Sequence, residues 1–481
     1  MSVHSVRVYR RSFGAGPPCR VIEIRADHLD LRRLQAPSRL RARDAAHILA
    51  LQTGASVEAL ALPSLAVRAL RAPAALRRHG GDTYPSLRSA LSAWWARTDP
   101  HDREALLGRD SGDLGRFVAH LRRRGLIATH RHLVAGELPR LLAPIGTFGY
   151  VRQLGHILQG ALLLNTHYFL YDPRELDNPL AAIGDPVGML ASHGQIRVAP
   201  ILRRATLTLA GGRWQVQQLG ADDLAIDLPD GTTLSPMATD GPQLRYRGDT
   251  AQADVASGAA ERPRPSVSPS AREASVPDCE VCLQGRYVSM IRRGGALDPP
   301  HGALVLSFAT PPGERLLRTL EARPTVQYRI PRIPDLNVAL QAGPQLIRGG
   351  QVVLHQASFV AERFRTIGTA DPTAPLVFPT DTDRTRAGRI GIGVTSTNSL
   401  VILAVQGTSS LSDTGSEAPL GCTLTELSEA LLEAGAVEAL NCDGGGSTQV
   451  FAGPGVLLSS TDARAVPGAL FDRPLPVAAV C

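Results

Sequence analysis

The sequence contains no lysine: all 51 of its basic residues are arginine. That absence excludes a Schiff-base or pyridoxal-phosphate lysine and the lysine of a P-loop. It leaves arginine as the only permanent cation, and the planar guanidinium fork suits phosphate or carboxylate. A GC-rich coding sequence accounts for the same bias. Cysteine is scarce as well. Cys19, Cys279, Cys282, Cys422, Cys442 and Cys481, six in 481 residues, are too few for a disulfide scaffold. Cys279-x-x-Cys282 has no second pair to complete a zinc site, and Cys422 and Cys442 are expected as small core residues. No apolar run approaches the roughly 20 residues of a membrane span. The N-terminal stretch also lacks an apolar core of signal-peptide length. The chain is therefore expected to be soluble and cytoplasmic with no membrane partner, or exported if the start of translation lies elsewhere.

What is present is a 43% hydrophobic chain with 44 acidic residues and a formal charge of +7. That composition is globular and open to an anionic partner. Residues 20–36 begin with a strand-like alternation. Residues 40–145 are rich in Ala, Leu and Arg with apolar spacings of three and four, which predicts several amphipathic helices. Their arginines read as a solvated face, with nucleic-acid binding ranked last among the readings. From about Gly160 the texture changes to strands and turns. Residues 161–170 and 398–407 are short apolar runs of the kind found in buried strands. Residues 248–277, rich in Ala, Ser, Pro and Gly, read as a disordered linker or loop.

The last hundred residues are the most informative. Thr423 with Glu426 three positions later forms a capping box. Leu424, Leu427 and Leu431 make one apolar stripe, and Gly435 fits the helix C-terminus. A short strand then leads into Asn441-Cys442-Asp443-Gly444-Gly445-Gly446-Ser447-Thr448. Three glycines in a row reach backbone conformations closed to other residues, and their N–H groups can converge on an anion. Asp443, Ser447 and Thr448 place side-chain oxygens beside them. A flexible hairpin turn explains the same glycines. The motif is not a phosphate loop of the G-x-x-x-x-G-K-[ST] type, and Ser447 does not stand in a G-x-S-x-G elbow. Gly388–Gly393 does not match the dinucleotide fingerprint.

With its capped helix upstream, NCDGGGSTQVF resembles the N-L-D-G-G-G-S-[ST] pattern of the phosphodiester glycosidase family, with Cys442 for the usual Leu. Further blocks are similar in the same order. LLLNTHYF (162–169) resembles a strand reading I-N-G-G-F-F, with Thr166-His167 at two usually small positions. GDPVGMLASHGQI (184–196), GRYVSMIRRGGALDPPHGALVLS (285–307), LNVALQAGPQLIRGGQ (336–351) and Arg389-Ile390-Gly391-Ile392-Gly393 follow. VQG (405–407) stands where V-D-G is common, so Gln406 replaces a carboxylate, and Arg473 matches a terminal arginine.

The resemblance implies an α+β fold: mixed or antiparallel sheets with packed helices form a phosphodiester glycosidase-like domain over 151–481. Residues 1–36 form a leading strand region, and 37–150 an α-helical insertion or subdomain. It also implies hydrolysis of the glycosidic bond of a sugar-1-phosphodiester, or, on the same fold, a non-catalytic glycan- or phosphate-binding protein. A phosphate monoester leaving group needs charge stabilisation, and the attacking water needs a carboxylate. Asp443, Arg389, Asn441 and Asn165 are the expected catalytic set, with Arg389 and Arg473 clamping phosphate. Gly444, Gly445, Gly446, Ser447, Thr448, Arg473, His167 and Thr423 are the expected substrate contacts, Thr423 being a helix cap first. No cofactor is assigned. A divalent cation held by Asp443 with Asp172 or Asp185 is an open alternative, although the spacing matches no known cage. The expected partner is a small-molecule or glycan phosphodiester.

Overall fold

The computed structural model describes residues 3–14, 16–34, 78–79, 82–83, 151–169, 186–200, 202–236, 244–247, 252–257, 279–293, 303–308, 319–320, 325–362, 364, 385–407, 420–458 and 475–481. The architecture is dominated by antiparallel sheets. A seven-stranded sheet runs in the order Val3–Arg11, Cys19–Ala26, Leu400–Val405, Arg389–Thr395, Ala436–Asn441, Gln345–Arg348 and Gln351–Val352.

An interior strand of this sheet explains the unbroken apolar run read from the sequence. Every residue of Leu400–Val405 is buried. Leu400, Ile402 and Ala404 face one core, with Leu164, Leu207 and Val338. Val401, Leu403 and Val405 face another, with Leu424, Leu427 and Leu431 of the helix Leu424–Glu433. A strand covered on both faces has no use for alternation. The helix begins as its sequence predicts: the Thr423 hydroxyl accepts from Glu426 N at 3.3 Å, and Glu426 Oε2 accepts from Thr423 N at 2.9 Å. It ends at Gly435, whose φ of +91° reverses the chain into the strand Ala436–Asn441.

The α+β reading is corrected by this arrangement. The protein is mostly β-sheet, and among the described residues the α-helices are only Val151–Ile157, Gln356–Ala361 and Leu424–Glu433. The helical insertion over 37–150 is not supported. Its only described residues are Arg78–His79 and Asp82–Thr83, a two-stranded antiparallel pair, and the rest lies outside the described residues. The helical expectation rested on composition, and helix propensity is a weak prior. In the stretch read as a linker, Gln252–Ser257 is a strand between Leu244–Arg247 and Ala303–Phe308. Those pairings belong to an eight-stranded sheet.

The third strand of the chain, Asp30–Arg33, and the last, Val477–Val480, join one five-stranded sheet, ordered Gly455–Leu458, Val450–Ala452, Leu162–Asn165, Val477–Val480 and Asp30–Arg33. A second five-stranded sheet contains Leu190–Ser192, Leu336–Gln341 and Arg204–Ala210. Leu162 and Leu164 point into the core they share with Ile22, Ile402, Leu207 and Leu340, while Leu163 packs behind with Phe451 and Val480. The sheet ends converge where this core meets the glycine-rich turn.

Candidate active site

Two neighbouring strands of the seven-stranded sheet bring Arg389 and Asn441 to the same end. Arg389 opens its strand and Asn441 closes the next, with Gly391 paired to Asn441. The chain then crosses between sheets in two residues. Cys442 N donates to Ile390 O at 2.8 Å, in the seven-stranded sheet. Asp443 N donates to Thr166 O at 2.9 Å, immediately after the Leu162–Asn165 strand. Asp443 is thus a carboxylate only 2% exposed, held at a junction of sheets.

Two of the three glycines are needed here, one for contact and one for conformation. A Cβ on Gly444 would lie 2.6 Å from Gly388 O, and Gly445 has φ +56°. Of the three glycine N–H groups expected to form a nest, that of Gly445 is used within the fold, as are those of Ser447 and Thr448. Gly445 N donates to Gly388 O at 2.7 Å, Ser447 N to Gly444 O at 3.1 Å and Thr448 N to Gly445 O at 3.1 Å. These donors close the turn upon itself as a short 3-10 helix, Gly445–Ser447. Gly446 is half-buried within it, and Ser447 and Thr448 are buried. Thr448 Oγ1 has no hydrogen-bond partner among the described residues.

Asn165 is not an open substrate ligand, because both ends of its amide are committed. Nδ2 donates to Asp443 O at 2.7 Å, and Oδ1 accepts from Gln449 N at 3.0 Å. One carboxamide therefore clasps both ends of the glycine turn. His167 also serves the framework: Nε2 donates to Met189 O at 3.0 Å, so Nδ1 accepts from the Thr166 hydroxyl at 3.0 Å. Arg389, 4% exposed, gives Nε to Cys422 O at 3.3 Å and Nη2 to Thr385 O at 2.7 Å. Two of its five donors thus hold backbone. Thr423, expected as a second-rank substrate contact, uses its hydroxyl in the capping box and stands next to the Cys422 carbonyl that holds Arg389. Arg473, Asp172 and Asp185 lie outside the described residues. Among the described residues, no group of three or more His, Cys, Asp or Glu side chains is placed to hold a metal ion.

Tyr168 is the site residue that the sequence reading passed over, although it stood in a quoted block. Its hydroxyl donates to Gly343 O at 2.9 Å and accepts from Asn441 Nδ2 at 2.8 Å. Burial pushes its pKa far above the ordinary tyrosine value, and the negative charge of Asp443 adds to the shift while Arg389 and Arg204 oppose it. Asp443 and Arg389 therefore both act on this hydroxyl. Cys422 is likewise raised, to about 12, by burial. Burial also raises Cys442, so neither thiol is a nucleophile here.

Residues 285–478 match the phosphodiester glycosidase family. The match supports a glycosidase-type hydrolase. It begins well after Asn165, yet the Leu162–Asn165 strand lies between Val450–Ala452, inside the matched segment, and Val477–Val480, where that segment ends. No curated protein matches the chain. Among solved structures, a hypothetical protein from Synechocystis is 18% identical over 70% of this chain, with a TM-score of 0.38. This chain spans 54% of that protein. A putative exported protein from Burkholderia pseudomallei is 15% identical, covering 100% of this chain and 96% of its own, with a TM-score of 0.41. The zebrafish N-acetylglucosamine-1-phosphodiester alpha-N-acetylglucosaminidase catalytic domain, auto-inhibited by its pro-peptide, is 13% identical. It covers 54% of this chain and 82% of its own, with a TM-score of 0.25.

Proposed function

We propose that the protein hydrolyses the glycosidic bond of a sugar-1-phosphodiester, with an N-acetylglucosamine-1-phosphodiester as the first substrate to test. The observation that carries this reading is the burial of Asp443 at the sheet junction, in one electrostatic environment with Arg389 and the Asn441–Tyr168 pair. A carboxylate in a water-poor site can take a proton from an attacking water. The departing phosphate monoester is already an anion and needs positive charge more than protonation, which fits Arg389 as the nearby permanent cation.

The test is to supply the full chain with the p-nitrophenyl phosphodiester of N-acetylglucosamine-1-phosphate and identify the products. Free sugar with p-nitrophenyl phosphate supports glycosidic cleavage. Release of p-nitrophenol with sugar phosphate places the cut on the other side of phosphorus and overturns the reading. One observation favours a second reading, a glycan or phosphate binder without turnover. Gln406 stands where V-D-G is common, and its Oε1 accepts from Arg20 N at 3.4 Å. Ligand-induced thermal stabilisation without products would favour that reading.

A further inference from the structure

The strands Val3–Arg11 and Cys19–Ala26 carry five arginines, and three of them have acidic partners. Arg7 lies 3.7 Å and Arg25 3.0 Å from Glu23, and Arg11 lies 2.6 Å from Glu433. Arg10 and Arg20 have no ion pair among the described residues, and both are exposed. They also stand directly opposite one another in the ladder. Like charges at opposed positions destabilise a sheet, their Cβ atoms being about 4.5–5.5 Å apart. Two guanidinium forks at that spacing suit one shared phosphate, whose charge relieves the repulsion.

Alternation fixes the face. Val8 is paired with Ile22 and Arg10 with Arg20, and side chains two apart on a strand share a face. Ile22 is buried in one core with Ala404, Ile390 and Cys442, so both arginines leave the sheet on that side, beyond the end of the core. The rung continues across the sheet. Gln406 N donates to Arg20 O at 2.9 Å, and Arg20 N donates to Gln406 Oε1 at 3.4 Å. The register that pairs Arg389 with Val405 sets Gly388 beside Gln406. A Cβ on Gly388 would lie 2.9 Å from Thr448 Oγ1, so the glycine turn stands on this same face. From the turn outward the rung reads Gly388, Gln406, Arg20, Arg10, without a carboxylate. Arg20 is two strands from Gly388, roughly 10 Å at the usual strand spacing.

We propose that Arg10 and Arg20 bind a second phosphate group, carried by the part of the substrate beyond the scissile phosphodiester. This rests on the hydrolase reading above and names its substrate class: a sugar-1-phosphodiester whose aglycone is itself phosphorylated. The neutral Gln406 leaves the path between the turn and the two arginines free of opposing charge. Both arginines are solvent-exposed, so the contact sets substrate preference and takes no part in bond breaking.

The experiment uses the hexyl and 6-phosphohexyl phosphodiesters of N-acetylglucosamine 1-phosphate, which differ by one phosphate group on a chain long enough to follow the rung. Wild type, Arg10→Ala, Arg20→Ala and Arg7→Ala are compared in kcat and KM, with folding checked by thermal unfolding. Arg7 lies on the same strand but on its other face, so its variant removes one charge without touching the rung. Wild type should prefer the phosphorylated substrate. Arg10→Ala and Arg20→Ala should each lower that preference by about two- to fivefold, the range for one exposed ion pair, through KM for the phosphorylated substrate. Arg7→Ala should keep the preference. Both rung side chains are exposed, so either single variant decides the matter if the other does not fold. Equal kcat/KM for the two substrates in wild type overturns the proposal and leaves the hydrolase reading standing. An equal loss of preference in Arg7→Ala also overturns it, since the effect would then belong to overall charge. Absence of turnover of both substrates in wild type overturns both.

Discussion

Asn165 and Asp443 lie 278 positions apart in the sequence and are joined by a 2.7 Å hydrogen bond from the Asn165 amide to the Asp443 carbonyl. The other end of the same amide holds Gln449 N. One side chain from the five-stranded sheet thus fixes the two ends of the turn that presents the candidate carboxylate. Replacing Asn165 with Ala should remove one hydrogen bond from each of these two backbone groups. The expected cost is about 0.5–1.5 kcal/mol for each bond lost. Chemical denaturation measures this directly, and an unchanged midpoint would show that the clasp is dispensable.

The Asp443 carboxylate is predicted to be the proton acceptor. Asp443→Asn keeps the shape of the side chain and removes the charge. Turnover of the sugar phosphodiester should fall by about 10²-fold or more, the usual contribution of a positioned base. Near-UV circular dichroism should remain that of the wild type. A folded variant with wild-type turnover would remove Asp443 from the mechanism.

Gly444 is predicted to resist substitution for a steric reason. A Cβ at this position would meet Gly388 O at 2.6 Å, and that oxygen is backbone already bonded to Gly445 N. Gly444→Ala should therefore displace the turn and cost about 1–3 kcal/mol, the range for overpacking a tight site. Thermal unfolding with a parallel activity assay tests this; equal values for variant and wild type would show that the strand has room to give.

Glu426 gives a pH-dependent prediction. Burial acts to raise its pKa, but the hydrogen bond from Thr423 N and the Arg386 guanidinium 2.5 Å away hold it below the ordinary 4.5. A depressed carboxylate stabilises the fold above its unfolded value, and that contribution is lost as pH falls through the folded value. Wild type should therefore exceed Glu426→Gln in melting temperature at neutral pH. The gap should shrink below about pH 4.5 as the carboxylate protonates in either state. A gap independent of pH would mean that the charge plays no part in the cap.

The helix Leu424–Glu433 was legible because its determinants are local: a cap, an apolar stripe and a glycine stop lie within one stretch of thirteen residues, Thr423 to Gly435. The same holds for the Leu400–Val405 strand, whose apolar run already implied cover on both faces. The β-rich architecture was less legible. Strands such as Tyr168–Phe169 and Leu190–Ser192 are too short to show a period, and the alanine, leucine and arginine of the N-terminal region carry a helical propensity that is only a weak prior.

By itself, the sequence determined the ingredients of the site: Asp443 and Asn441 around a glycine turn, Arg389 at a strand start, and the block holding Asn165 and Tyr168. It also determined the spacing that makes the turn possible, since only glycine tolerates the Gly444 contact and the Gly445 backbone. What each residue does was decided by the tertiary structure. Asn165 became a clasp, Thr423 a cap and His167 a framework contact, while Tyr168 entered the site through its bond to Asn441. The physical reason is that a polar side chain's role is set by which partners consume its donors and acceptors. Here those partners come from segments hundreds of residues apart, on different sheets.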